Sequence, residues 1–196
     1  MNKLSKKWYV GIYAVSLSVC ILFIFILAAL FLTGMLDKYE NQISNPLIII
    51  GVLIYLQFVV VQTVYNFVIL SKMWGSIQDG QTPITTGKAI GFLFIPFFNI
   101  YWIFRAWGSF PTEYNKYVDR YSLPAPKLSG GVFTLYPILL LLTAFLYVPL
   151  LIVPFVFIAI ISKTCDAVNA LSAAVEERRN AVSRPPMQNQ MAANYR

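Results

Sequence analysis

The sequence contains no histidine, and charged residues make up only 12% of its 196 residues. The missing histidine excludes histidine-based catalytic triads, imidazole metal ligands and a histidine-bound haem. The two cysteines, Cys20 and Cys165, lack the spacing of a metal cluster. No pair of aspartates, and no serine or cysteine nucleophile beside a base, is visible in the sequence. We therefore expect no enzymatic activity, no catalytic or metal-binding residue and no cofactor.

Hydrophobic residues make up 58% of the sequence, which is typical of a membrane protein. We predict membrane spans at about residues 8–36, 46–70, 88–110 and 132–162. The apolar cores of these runs contain no Asp, Glu, Lys or Arg. Ion-coupled carriers place ionisable groups at mid-membrane, so this absence argues against ion-coupled transport.

The third apolar run is shorter than the others and is interrupted. Its uncharged stretch, residues 89–104, would span roughly 24 Å as a helix, against a hydrocarbon core of about 30 Å. Pro96 and Asn99 stand in its middle. Non-helical backbone at membrane depth must be enclosed by protein or water. The run is therefore either a packed central span or a re-entrant segment, and the sequence leaves both open.

Charge distribution gives a preferred orientation. If the third run spans, ten lysine and arginine residues lie on the side of both termini and five lie on the other side. If it re-enters, nine of these residues lie on the side of the N-terminus and six lie on the other side, with the C-terminus. The first arrangement is favoured, with the N- and C-termini in the cytoplasm. The formal charge of +7 follows from these flanks, and no basic face of a soluble module indicates nucleic-acid binding.

Aromatic and charged side chains predict where the chain meets the membrane surface. Tyr114, Tyr117 and Tyr121 share one face of a short amphipathic helix after the third run, which we expect to lie in the headgroup plane. Arg105 is expected to extend to the same interface. Tyr13 is assigned to an interfacial belt with neighbouring aromatic residues.

The segments that flank the spans are simpler. Asp79-Gly80 marks a turn before the third run. The fourth helix is predicted to continue into water, because apolar residues recur at helical spacing beyond Lys163. Residues 1–182 then form one integral membrane domain, and residues 183–196 a flexible tail.

Amides inside the apolar runs form the candidate site. Gln62 and Asn66 lie one turn apart on the second run, and Asn99 follows Pro96 on the third. Amides in hydrocarbon most often bond one helix to another, so we expect these side chains to join the second run to the third. A polar path or a ligand site is the alternative.

The segment around the third run resembles uncharacterised bacterial multipass membrane proteins, a domain-of-unknown-function family with a GFxFIPxxNxYW core. The matching positions fall within the middle third of the chain, and they are Gly91, Phe92, Phe94, Ile95, Pro96, Asn99 and Tyr101. The resemblance implies the bacterial inner membrane as the location, and it implies no activity.

These features predict an all-α protein. The expected fold is a four-transmembrane-helix bundle with an interfacial amphipathic helix after the third span and a cytoplasmic extension of the fourth. The expected function is that of an accessory or scaffolding membrane protein, which packs with itself or with another membrane protein in the lipid bilayer. A homo-oligomeric pore, or binding of lipid or a small hydrophobic ligand, are the alternatives.

Overall fold

A computed structural model describes residues 4–32, 46–143 and 148–183. The regular elements of these residues are all helical. Short turns of 3-10 helix (Phe92–Phe94) and π-helix (Phe104–Gly108) follow α3 and α4. The α-helices are α1 (Lys6–Leu32), α2 (Pro46–Ser76), α3 (Thr86–Gly91), α4 (Phe98–Ile103), α5 (Phe110–Arg120), α6 (Gly131–Leu142) and α7 (Val148–Ser183).

Three described helices are long and apolar enough to cross a membrane, within the ranges Lys6–Ile26, Ile49–Ser76 and Ile152–Ser183. The protein is therefore a membrane-embedded helical protein, as the composition predicts. The four-span bundle is not confirmed, because the third and fourth apolar runs fold differently from the prediction.

The first two helices form an antiparallel hairpin. The ring of Tyr65 lies 6.5 Å from that of Tyr9 and 5.8 Å from that of Tyr13, between the ring centroids. The Tyr13 hydroxyl also donates a hydrogen bond to Gln62 of α2. The connection at residues 33–45 lies outside the described residues, as does the end of the predicted first span.

The predicted third span folds back on itself as a hairpin, residues 86–108, which we call the re-entrant hairpin. The indole of Trp102 donates to the carbonyl of Ala89 at 3.2 Å, which fixes the returning arm beside the entering one. Trp74, in the last turn of α2, donates to the carbonyl of Ala106 at 2.9 Å, so the chain returns to the end of α2 that it left. The reversal occurs at Pro96, which has no N–H to donate, and at Phe97, whose φ is 63°.

The predicted fourth span is also two helices rather than one. The rings of Tyr136 on α6 and Phe157 on α7 stack at 5.3 Å. Nearer the start of α6, Phe133 packs on Phe110, whose neighbour Tyr114 reaches Ala167 further along α7, so the two helices are antiparallel. Their connection, residues 144–147, lies outside the described residues. Because apolar composition is the same for one long helix and for a hairpin of two, hydropathy does not reveal this reversal.

The N-terminal segment and α7 meet at one end of the bundle. Asn169 bonds both the N–H and the carbonyl of Leu4, at 2.7 and 2.9 Å, and Lys6 pairs with Asp166 at 2.7 Å. We call this the basic end, because every described lysine and arginine belongs to a segment that meets there: Lys6, Lys7, Lys72, Lys88, Arg105, Lys116, Arg120, Lys127, Lys163, Arg178 and Arg179.

Beyond Lys163, α7 continues as a helix to Ser183, as predicted. We call residues 164–183 the α7 extension. It runs parallel to α5, because later residues of α5 contact later residues of the extension. Tyr114 bonds Ala167, and the carbonyl of Tyr121 accepts a hydrogen bond from Arg178. The predicted C-terminal tail from residue 184 onward lies outside the described residues.

Candidate functional site

Gln62 and Asn66 form a hydrogen-bonded network that joins three helices. The side-chain amide of Asn66 donates to the backbone carbonyl of Gln62 at 2.8 Å, along one turn of α2. Tyr13 of α1 donates to the side-chain oxygen of Gln62. Tyr136 of α6 donates to the side-chain oxygen of Asn66 at 2.6 Å. Each tyrosine hydroxyl thus satisfies an amide that would otherwise be unpaired in hydrocarbon.

Aromatic rings cover the tyrosine side of the network, while Gln62 and Asn66 themselves are half-buried. Tyr13 and Tyr136 are both fully buried. Phe157 lies 5.2 Å from the ring of Tyr13 and 5.3 Å from that of Tyr136, and Trp107 lies 5.0 Å from Tyr136. The arrangement therefore bonds α2 to α1 and α6 inside one copy of the protein, and not to the third run as expected.

Asn99 and Pro96 lie apart from this network, at the tip of the re-entrant hairpin. The backbone N–H of Asn99 donates to the carbonyl of Ile95 at 3.0 Å. Its side chain is exposed, and no hydrogen bond from a described residue reaches its amide. The four predicted residues therefore form two separate features, a bonded pair and an exposed tip.

The tyrosine face of α5 packs against protein. Tyr114 is fully buried, and its hydroxyl donates to the carbonyl of Ala167 at 3.3 Å. Burial raises the pKa of Tyr114 to about 12. Tyr117 and Tyr121 are half-buried, with ring centroids 4.8 Å apart. Of the predicted stripe, Tyr114 thus packs inside the protein, Tyr117 and Tyr121 are partly open, and Arg105 is exposed at the basic end.

Asp79 organises the loop between α2 and α3. Its carboxylate accepts hydrogen bonds from the N–H groups of Gln81 and Thr82, each at 2.9 Å, and from the Thr82 hydroxyl. It also pairs with Arg120. Burial alone would raise the pKa of Asp79, but these hydrogen bonds and the positive charge of Arg120 outweigh it and lower the pKa to about 2.

A groove opens between α5 and the α7 extension. Its volume is about 470 Å³, and its walls are mostly apolar with arginine at the rim. Arg178 at that rim is already bonded to the carbonyl of Tyr121. The main lining residues are Tyr117, Tyr121, Leu123, Val175, Arg178 and Arg179.

The sequence did not reveal that Tyr13 and Tyr136 bond the two amides of α2, or that Asp79 bonds Arg120. The prediction placed Tyr13 in a surface belt and Asp79 in a simple turn. The available signal was chemical, because a tyrosine or a carboxylate that becomes buried needs a hydrogen-bond partner. The sequence does not say which partner is near, since these contacts join residues 41 to 70 positions apart.

The site has to be interpreted from its own residues. No family model, curated protein or solved structure matches the chain. Within the described residues, no group of three His, Cys, Asp or Glu side chains comes together as a metal site would require. What the geometry offers is helix-bonding chemistry, an exposed hairpin tip and a groove at the basic end.

Proposed function

We propose that this protein is an accessory or scaffolding protein of the bacterial inner membrane, which packs through its re-entrant hairpin with a second copy or with another membrane protein. The single observation that carries the proposal is the exposed tip of that hairpin. Resemblance of the GFxFIPxxNxYW segment to bacterial multipass proteins supports the location.

The tip lies at membrane depth. The ring of Phe94 packs 5.4 Å from that of Phe67 on α2. Phe67 is nine residues before Ser76, so the tip lies about 13 Å above the end of α2 if the helix rises 1.5 Å per residue. The hairpin therefore reaches into the hydrocarbon but does not cross it.

The tip exposes both apolar side chains and non-helical backbone. Phe94 is 68% exposed and Phe97 is 89% exposed. Ile95 is extended and Pro96 interrupts the helical hydrogen bonds beside it.

Irregular backbone can face lipid only where its polar groups have partners. The N–H groups of Ile95, Phe98 and Asn99 bond to carbonyls within the tip, but the N–H of Phe97 has no partner among the described residues. A protein surface that covers the tip resolves this problem, and the Asn99 amide gives that surface a hydrogen-bonding partner.

The positive-inside rule orients the protein. All eleven described lysine and arginine residues belong to the basic end. Cytoplasmic loops carry the excess of these residues. The basic end is therefore assigned to the cytoplasm, with both chain termini, α5 and the α7 extension. Among the described residues the division is therefore eleven against none.

The two alternatives have less support. A pore lined by Gln62, Asn66 and Asn99 is disfavoured, because the first two amides are bonded inside one copy. Binding of a small hydrophobic ligand has one observation in its favour, which is the groove of about 470 Å³ beside Tyr117. That groove is built from α5 and the α7 extension rather than from the intramembrane amides.

A photoreactive phenylalanine analogue tests the proposal at two matched positions. Phe97 at the tip is 89% exposed, and Phe25 on α1 is 69% exposed, so neither substitution disturbs the core. In cells, we expect the analogue at position 97 to cross-link to a protein of defined mass, and the analogue at position 25 to cross-link to lipid. Mass spectrometry distinguishes a second copy from a different partner. Cross-linking of position 97 to lipid alone would contradict the proposal.

A further inference from the structure

The three helical hairpins reach different depths from the basic end. α1 has 27 residues and α2 has 31, which correspond to about 40 and 46 Å, enough to cross a hydrocarbon core of about 30 Å. The re-entrant hairpin stops at the level of Phe67, about 13 Å above the end of α2. Of these two hairpins, only the one formed by α1 and α2 therefore reaches the far end of the bundle, at Leu32 and Pro46.

The hairpin of α6 and α7 reaches an intermediate depth. Phe157 of α7 lies level with Tyr13 of α1, where their rings are 5.2 Å apart. Val148, the first residue of α7, is nine residues from Phe157, so it lies level with about Leu22 of the antiparallel α1. α1 then continues for ten residues, about 15 Å, beyond the level at which α7 begins.

The cross-section of the described protein therefore tapers. Six helices are present near the basic end: α1, α2, α3, α4, α6 and α7. Four remain above the re-entrant tip, and two remain at the far end. With a helix diameter of about 10 Å, four additional helices occupy roughly 300 Å² more membrane area at the basic end.

Burial follows the same gradient. The buried residues of α1 end at Cys20, and those of α2 begin at Ile69. Towards the far end the described side chains are open, with Leu22 at 62%, Phe25 at 69% and Leu53 at 59% exposed. Among the described residues, nothing fills the space beside α1 and α2 there except the two helices themselves.

We propose that the protein acts as a wedge in the bilayer and favours membranes in which the leaflet at the basic end is convex. A tapered body displaces more area from one leaflet than from the other, and a flat bilayer must deform to accommodate it. A curved bilayer, whose convex leaflet has the larger area, accommodates the taper without that deformation. This function goes beyond partner packing, since the taper belongs to each single copy, whichever protein covers the hairpin tip.

Reconstitution into vesicles of two sizes tests the wedge. The full chain is reconstituted from detergent into a mixture of small sonicated vesicles and large, nearly flat extruded vesicles of the same lipid composition. The ratio of protein to lipid is then measured in each size fraction. We expect a several-fold higher ratio in the small vesicles, with the basic end labelled from outside by an impermeant lysine reagent. Equal ratios, or an enrichment with the basic end inside, would overturn the proposal.

A pair of variants shows whether the taper causes the preference. Phe94, Phe97 and Ile100 are exposed at the hairpin tip, so their replacement leaves the core intact. The triple serine variant (Phe94→Ser, Phe97→Ser and Ile100→Ser) makes entry of the tip into hydrocarbon unfavourable, whereas the matched triple leucine variant keeps the tip apolar. We expect the serine variant to lose most of the enrichment and the leucine variant to retain it. Unchanged enrichment in the serine variant, at an unchanged melting temperature, would also overturn the wedge.

Discussion

The halves of α1 and α2 near the basic end and near the far end have a similar apolar composition, but they are packed differently. Near the basic end, Tyr13 and Trp74 are fully buried among rings and hydrogen bonds. Toward the far end, side chains such as Phe25 and Val52 are more than half exposed. Packing of the described protein is therefore concentrated in one half, and hydropathy alone does not distinguish a helix that holds a core from one that only crosses lipid.

The same contrast separates two asparagines of the apolar runs. Asn66 accepts a hydrogen bond from the buried Tyr136, whereas the side chain of Asn99 is exposed at the hairpin tip. Asn66 thus belongs to an internal network, and Asn99 belongs to an outer surface. Four substitutions sharpen these comparisons.

The largest expected effect is on the aromatic core. Trp107 is 1% exposed and packs on Tyr136 and Phe157. Trp107→Ala should lower the free energy of unfolding by about 3–5 kcal/mol, because it removes a large buried ring and leaves a cavity. The matched Phe25→Ala variant, in the far half, should change it by less than about 0.5 kcal/mol. Denaturant unfolding in detergent measures both, and equal losses would remove the contrast between the halves.

The next effect concerns the loop before the re-entrant hairpin. Asp79→Asn should cost about 1.5–3 kcal/mol, since it removes the charge that Arg120 and four other donors, the Tyr121 hydroxyl among them, stabilise. Asp119→Asn is the control, because the pair of Asp119 with Lys127 is exposed and worth at most about 1 kcal/mol. Unfolding curves in the same detergent check the ranking.

The pH dependence of this contribution has a definite sign. The pKa of Asp79 is lowered from its ordinary value of 3.8 to about 2 in the folded protein. Its stabilisation is therefore fully present above pH 3.8 and is lost as the pH falls towards 2. The difference in stability between wild type and Asp79→Asn should shrink across that window. A difference that stays constant would contradict the role of the charge.

A smaller effect is expected at the amide network. Tyr136→Phe removes the hydroxyl that donates to Asn66 and should cost about 1 kcal/mol, which is typical of hydrogen bonds between membrane helices. Tyr55→Phe on the exposed surface of α2 is the matched control and should be neutral. If both variants unfold like the wild type, the network does not hold the helices together.

The smallest effect is expected at the hairpin tip. Asn99→Leu should change the stability of the isolated protein in detergent by less than about 0.5 kcal/mol, since no described residue bonds its amide. It should nevertheless weaken cross-linking from position 97 in cells. Loss of stability comparable to that of an Asn66→Leu variant would show that the tip is packed within a single copy.

Much of this fold can be predicted from the sequence where the signal is local. The apolar runs locate α1 and α2, and the periodicity of Tyr114 and Tyr121 locates α5. Pro96 predicts a break in the third run, but the contacts that turn the break into a hairpin are distant in sequence. Trp102 bonds a residue 13 positions away, and Trp74 one 32 positions away. Hydropathy contains no information about such pairings.

The candidate site follows the same rule. Gln62 and Asn66 are recognisable as one feature, because a helix places residues four apart on one face. Their partners Tyr13 and Tyr136 come from two other helices and depend on how the bundle assembles. Asn99 looked equivalent to them in the sequence, and it is the return of the chain at Pro96 that separates it from them.

The most direct test of the account is side-specific labelling of single cysteines in sealed vesicles. Cys20 and Cys165 are replaced by alanine, and Lys7→Cys, Lys88→Cys, Lys116→Cys and Lys127→Cys are introduced one at a time. An impermeant thiol reagent should label all four positions from the same side, because the re-entrant hairpin returns the chain to the basic end. Labelling of positions 116 and 127 only from the side opposite to positions 7 and 88 would restore the four-span bundle and contradict the account.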